Sequence, residues 1–141
     1  MDTVTNETAT RLRYAITRLS RRLRQSSLGG VSPAQASMLA VVSRLKRPSL
    51  GDLAAAEQVS PPSVTRLVRD MERLGLIERV TDDLDRRCTR VTITVRGRRE
   101  LAAIHRRKDE FLERALAALP VAERRRAGEL AELLETILDQ A

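Results

Sequence analysis

A chain of 141 residues, 42% hydrophobic and 32% charged, is long enough for one compact domain with its own core and needs neither metal nor disulfide to hold it. Tyr14 and Phe111 are its only aromatic residues and Cys88 its only cysteine, which disfavours base stacking as a main activity and excludes an intrachain disulfide. The formal charge of +7, with 26 basic residues of which all but Lys46 and Lys108 are arginines, points to a polyanionic partner, although GC-rich coding accounts for the arginine preference equally well.

The charge is placed unevenly: residues 60–99 hold ten basic and six acidic side chains, whereas residues 100–141 hold seven and nine. No apolar run approaches the roughly 18 residues of a membrane span, and arginines stand where a signal peptide would carry its apolar stretch, so a cytoplasmic protein is expected. Cys88 and His105 are the only strong soft ligands, too few for a structural zinc site, and no cofactor is expected.

In chain order, Leu12, Ile16, Leu19 and Leu23 mark the apolar face of a first helix that stops near "SLGGV". Ser32, Pro33 and Gln35 supply an N-cap, a proline in the first turn and a capping-box partner for a second helix reaching about Arg44. Ser49 and Asp52 repeat the capping signal for a short third helix, Leu50 to about Gln58, expected to pack with Leu53, Ala54 and Ala56. "VSPPSV" ends it.

The fourth helix starts at Ser60, which can cap, with Pro61 and Pro62 in the first turn, and it ends at Gly75, a fitting C-cap. Val64, Leu67, Val68 and Met71 form its apolar stripe. The opposite side gathers Pro62, Arg66, Arg69 and Arg73, flanked by Ser63 and Thr65. Two closely connected helices, the second presenting Ser, Thr and Arg outward from its N-terminal half, make a helix-turn-helix suited to a DNA major groove. An arginine-rich face that is merely solvated would look the same in isolation.

Two strands follow, Leu76 to Thr81 and Thr89 to Val95, the second with Val91, Ile93 and Val95 on one side and Arg90, Thr92 and Thr94 on the other. Helix-turn-helix plus hairpin is a winged helix. The wing tip, Asp82 to Arg87, is longer than a two-residue turn and can reach away from the domain. It offers cations to a minor groove, while Asp85 can hold an arginine extended by a charge-assisted bond.

These stretches resemble the MarR family of bacterial transcriptional regulators. The match is densest in "VTRLVRDMERLGLIER", where the family has a recognition helix running into "GL-x-x-R", and in "DLDRRCTRVTITVRG", where it has an Asp-x-Arg wing followed by Val-x-Leu-Thr and a glycine. Asp85, Arg86, Arg87, Val91, Ile93, Thr94 and Gly97 fit, with Ile93 replacing the usual leucine. The resemblance implies a homodimer binding a pseudo-palindromic DNA operator, usually as a repressor released by a small ligand or oxidant. It singles out Arg87 as the minor-groove residue and Asp85 as its partner. Pro61 and Pro62 depart from the pattern by removing two free N–H groups from the helix start, which weakens phosphate capture there. Their rings either meet thymine methyl groups or only fix the turn.

The last third reads as two helices, one with Leu101, Ile104, Lys108, Phe111, Leu112, Ala115, Leu116 and Leu119 in helical spacing, the other opened by Pro120 and carrying Leu130, Leu133, Leu134, Ile137 and Leu138. These stripes exceed what the winged domain can cover, so the first, fifth and sixth helices are expected to intertwine with those of a second copy. The competing reading is a three-helix bundle within a monomer.

Enzyme chemistry is not expected, since His105 has no nucleophile in its pattern, and Cys88 reads as a small strand residue. The expected architecture is mainly α with a small β-hairpin wing. Residues 31–96 form the winged helix-turn-helix, and 1–30 with 97–141 the helical dimerisation region. The expected DNA-binding residues are Ser60, Pro61, Pro62, Ser63, Thr65, Arg66, Arg69, Asp85, Arg86 and Arg87. A small organic ligand is expected in a cleft between the dimerisation helices and the winged domain, near Arg13, Tyr14 and Ser37. The alternative is an architectural protein coating nucleic acid without sequence preference.

Overall fold

The computed structural model describes residues 5–27 and 29–141. Six helices and one hairpin run in the order α1 (Asn6–Ser27), α2 (Pro33–Leu45), α3 (Leu50–Glu57), α4 (Pro61–Arg73), β1 (Ile77–Thr81), β2 (Thr89–Ile93), α5 (Val95–Ala117) and α6 (Val121–Gln140). The expected end of α1 is met at Ser27, and Leu28 of the "SLGGV" segment lies outside the described residues.

Both predicted capping boxes form. Ser32 and Gln35 exchange bonds of 3.0 and 3.1 Å, and Ser49 and Asp52 exchange bonds of 2.9 and 3.0 Å, satisfying donors that the helix starts would otherwise leave free. Gly75 closes α4 with φ 74°. Its N–H donates to the Glu72 carbonyl and the Leu76 N–H to that of Met71, a left-handed ending that glycine adopts without steric cost.

The hairpin is antiparallel, with Ile77 opposite Ile93 and Thr81 opposite Thr89. Its root is tied to the helices because the Val91 N–H donates to the Pro48 carbonyl at 2.9 Å and Arg90 bridges to Ser49. Met38, Leu39, Leu53, Val64, Val68, Met71, Ile77 and Val91 are fully buried between α2, α3, α4 and the hairpin, and Leu101 and Ile104 close this core from α5.

Three details differ from the sequence reading. Ala56 is exposed: the packed side of α3 follows Leu50, Leu53 and Ala54, and Ala56 lies off that stripe. Ser60 occupies the N-cap position without a side-chain cap bond, and its hydroxyl instead pairs with that of Ser63 at 2.9 Å; Pro61 and Pro62 have no N–H to donate, and Ser63 meets Ser60 through its hydroxyl. Val95 is an exposed first residue of α5 and not part of β2. Thr94 turns the chain by donating from its hydroxyl to the Gly75 carbonyl at 2.6 Å and accepting from the Gly97 N–H at 3.0 Å. A Cβ on Gly97 would overlap the Leu76 carbonyl, so the Thr-x-x-Gly spacing serves a close backbone approach as well as a cap.

The terminal helices stay largely bare. α6 buries no residue, and Leu130, Leu133, Ile137 and Leu138 are exposed, as are Ile16 and Leu19 on α1.

Candidate nucleic-acid interface

The outward face of α4 carries Pro61, Pro62, Ser63, Arg66 and Arg69, all exposed, with Thr65 half-buried beside them. The Thr65 hydroxyl donates to the Pro61 carbonyl at 3.0 Å, so it faces a ligand mainly as an acceptor. Among the described residues neither Arg66 nor Arg69 has a carboxylate within ion-pair distance, whereas Arg73 meets Asp70 at 3.6 Å. Two free guanidinium groups therefore stand along the middle of this helix's outward face. Its other end is anchored, because Glu72 receives two bonds from Arg79 on β1 at 2.9 and 3.1 Å. Those bonds, more than any other influence, hold the Glu72 carboxyl below its usual range.

The wing tip closes through the Asp82 N–H donating to the Cys88 carbonyl and the Cys88 N–H to that of Asp85, both at 2.9 Å. Asp85 Oδ1 accepts from the Arg87 backbone N–H at 3.1 Å and from Arg87 Nε at 3.3 Å, while the Arg87 side chain is 94% exposed. The cation is thus posed and still open to solvent. Asp82 has a different task. Its Oδ1 accepts from the Leu84 N–H at 2.8 Å and its Oδ2 from Arg90 Nε at 2.8 Å, and Arg90 Nη1 lies 3.6 Å from Asp52. Two of the three acids in "DDLDRR" are consequently engaged by arginines, and Asp83 and Arg86 are exposed.

Arg90, Asp82 and the Glu72–Arg79 pair were not singled out from sequence. The register supplies a signal for the first two: with Thr81 opposite Thr89, Asp82 stands diagonally from Arg90 on one face of the hairpin. No local pattern reveals that Asp52 also reaches Arg90.

A cleft of about 310 Å³ lies between α1, α2 and α5, with Leu23, Ala36, Ala40, Leu101 and Ile104 as apolar lining and Arg24, His105 and Lys108 as polar lining. Ser37 borders it and donates to the Glu57 carboxylate at 3.0 Å. Arg13 and Tyr14 do not line it; they sit exposed on α1, where Arg18 stacks on the Tyr14 ring at 5.4 Å.

Residues 29–87, from the turn before α2 to the wing tip, match the family model described as MarR family. An HTH-type transcriptional regulator of Mycobacterium tuberculosis is 31% identical over 134 residues, which cover 94% of this chain and 94% of that protein. The chain belongs to the MarR family. It is a winged helix-turn-helix transcriptional regulator. A protein from Pseudomonas aeruginosa PA01 shares the MarR fold at a TM-score of 0.81 and 33% identity, over 95% of this chain and 97% of its own. A MepR variant from Staphylococcus aureus bound to an oligodeoxyribonucleotide has the same fold at a TM-score of 0.70 and 22% identity, over 92% of this chain and 96% of its own. Within the MarR pattern, Ile93 in place of leucine is partly buried and packs against the core. None of the described helices is long and apolar enough to cross a membrane.

Proposed function

We propose that this MarR protein is a cytoplasmic repressor that binds a pseudo-palindromic operator as a homodimer and is released by a small organic ligand. The observation that carries operator binding is the pairing pattern: Arg66 and Arg69 are free on the outward face of α4, while the wing cation Arg87 is individually posed by Asp85. In this reading α4 enters the major groove with Ser60, Pro61, Pro62, Ser63 and Thr65 at the leading end. Arg66 and Arg69 then reach guanine or phosphate, and Arg87, with Arg86 beside it, enters the flanking minor groove. A coating protein needs a diffuse basic surface, and the acids of the wing weigh against that.

The exposed stripes of α1 and α6, together with the end of α5, support a two-fold dimerisation region made of residues 1–30 and 97–141, with 31–96 as the reading head. Leu138 at 73% exposed and Leu133 at 55% are poor candidates for a solvated surface. The cleft supports release by a ligand. Its walls come from both regions, so an occupant that spreads α1 and α5 from α2 would shift the heads relative to one another. Its cations favour an organic anion. Substituting Arg66 and Arg69 separately by Ala and measuring binding to operator fragments selected from the genome of origin tests the reading. Each variant should weaken binding, and a base-reading arginine should also relax preference at one symmetric position in each half-site. Unchanged binding by both would remove α4 as the reader.

A further inference from the structure

The outer half of the hairpin, from Val80 to Arg90, has no buried side chain, and a two-stranded hairpin is marginal by itself. Packing of Ile77 and Val91 fixes its root but not the angle at which the tip leaves the domain. A polar chain supplies what packing does not. Asp52 Oδ2 accepts from the Ser49 N–H at the start of α3 and lies 3.6 Å from Arg90 Nη1; Arg90 Nε donates to Asp82 Oδ2; and Asp82 Oδ1 accepts from the Leu84 N–H at the tip. The run is continuous from the first helix of the helix-turn-helix to the end of the wing.

We infer that Arg90 is a positioning residue that sets the wing against the reading helix, so that Arg87 and the face of α4 fall on the same operator half-site. This rests on the operator-binding reading above. Arg90 is only one-third exposed and its guanidinium faces two carboxylates, which makes it a poor phosphate ligand in its own right. The planar fork matters, because one ammonium group cannot present two divergent donors in fixed geometry. The Asp82 carboxyl is held below its ordinary range chiefly by the bond from Arg90, in keeping with a persistent contact. A tilted wing would leave the core and α4 intact while taking Arg87 out of the groove. Arg90 therefore acts only through Arg87.

A double-mutant cycle reads that dependence. Arg90→Met in the full-length protein should weaken operator binding by roughly fivefold and abolish the preference for A·T-rich flanks, with a single cooperative melting transition retained. In an Arg87→Ala background the same change should cost less than about twofold. Asp82→Asn should behave as Arg90→Met does, weakening binding although it removes a negative charge beside DNA; it replaces Arg90→Met in the cycle if that variant folds poorly. Equal losses in both backgrounds, or tighter binding by Asp82→Asn, would overturn the positioning role. A wild-type protein with no operator preference would instead contradict operator binding itself, so the two failures are separable.

Discussion

Asp85→Ala separates a posed cation from bulk charge, because the two views give opposite signs. Residues 82–87 carry three acids and two arginines, so the substitution takes their net charge from −1 to zero. If the wing acted as a diffuse basic surface, binding would tighten. Taking a separation on the order of 8 Å in water, one charge interacts with a phosphate by about 0.5 kcal/mol, and screening over one Debye length leaves about 0.2 kcal/mol. Against that, Asp85 Oδ1 holds both the backbone N–H and the Nε of Arg87. An arginine side chain carries about 2 kcal/mol of rotamer entropy, and losing half of that pre-ordering costs about 1 kcal/mol on binding. The posing effect wins by about 0.5–1 kcal/mol, a two- to fivefold weaker complex. Melting should barely change, since exposed ion pairs contribute little to folding. Fluorescence anisotropy with a labelled operator at fixed salt measures the difference, and appreciably tighter binding by Asp85→Ala would refute the account of the wing.

Arg66→Ala or Arg69→Ala should cost on the order of 1–3 kcal/mol in the same titration, and Arg87→Ala a similar amount, with its loss largest for operators with A·T-rich flanks. Deleting residues 121–141 removes a helix that buries nothing within one chain; light scattering should then show monomers or aggregates, with tight operator binding gone, and a well-behaved dimer would rule out the dimerisation assignment. Gly97→Ala drives a methyl group into the Leu76 carbonyl and should destabilise the domain by on the order of 1–3 kcal/mol in urea unfolding. Glu72, Asp82 and Asp52 have carboxyls depressed by bonds from Arg79, Arg90 and Ser49 respectively. Depressed carboxyls stabilise the fold above their ordinary range and lose that contribution as pH falls through the folded values, so melting temperature should hold near neutrality and drop below about pH 4. A rise there would reverse the assigned sign.

Elements whose cause is local could be read from sequence. The capping boxes at Ser32 and Ser49, the glycine ending at Gly75 and the apolar stripe of α4 each lie within a few residues, and each is present. Alternation of side chains continues past Ile93 to Val95 and reads as strand, but Thr94 is recruited by the Gly75 carbonyl, a partner distant in sequence. Ser60 resembles a cap, but its hydroxyl pairs with that of Ser63 and not with a backbone N–H. In the candidate site, Asp85 and Arg87 are two residues apart and their bond could be anticipated. The Asp52, Arg90 and Asp82 chain joins three elements and depends on hairpin register and on the docking of α3. Arg13 and Tyr14, expected near the cleft, lie off it: which side of α1 faces α2 and α5 is decided by packing, and it is the side of Ser20, Leu23 and Arg24.

Specific operator recognition is tested most directly by competition. A labelled fragment recovered by selection from the genome is titrated with the protein in a large excess of unrelated duplex, across a range of salt concentrations. The complex should survive, protection should cover two half-sites about 10 base pairs apart on one side of the duplex, and affinity should fall with salt without losing the preference. Displacement by unrelated DNA in proportion to its mass, with protection spreading evenly along the fragment, would contradict it.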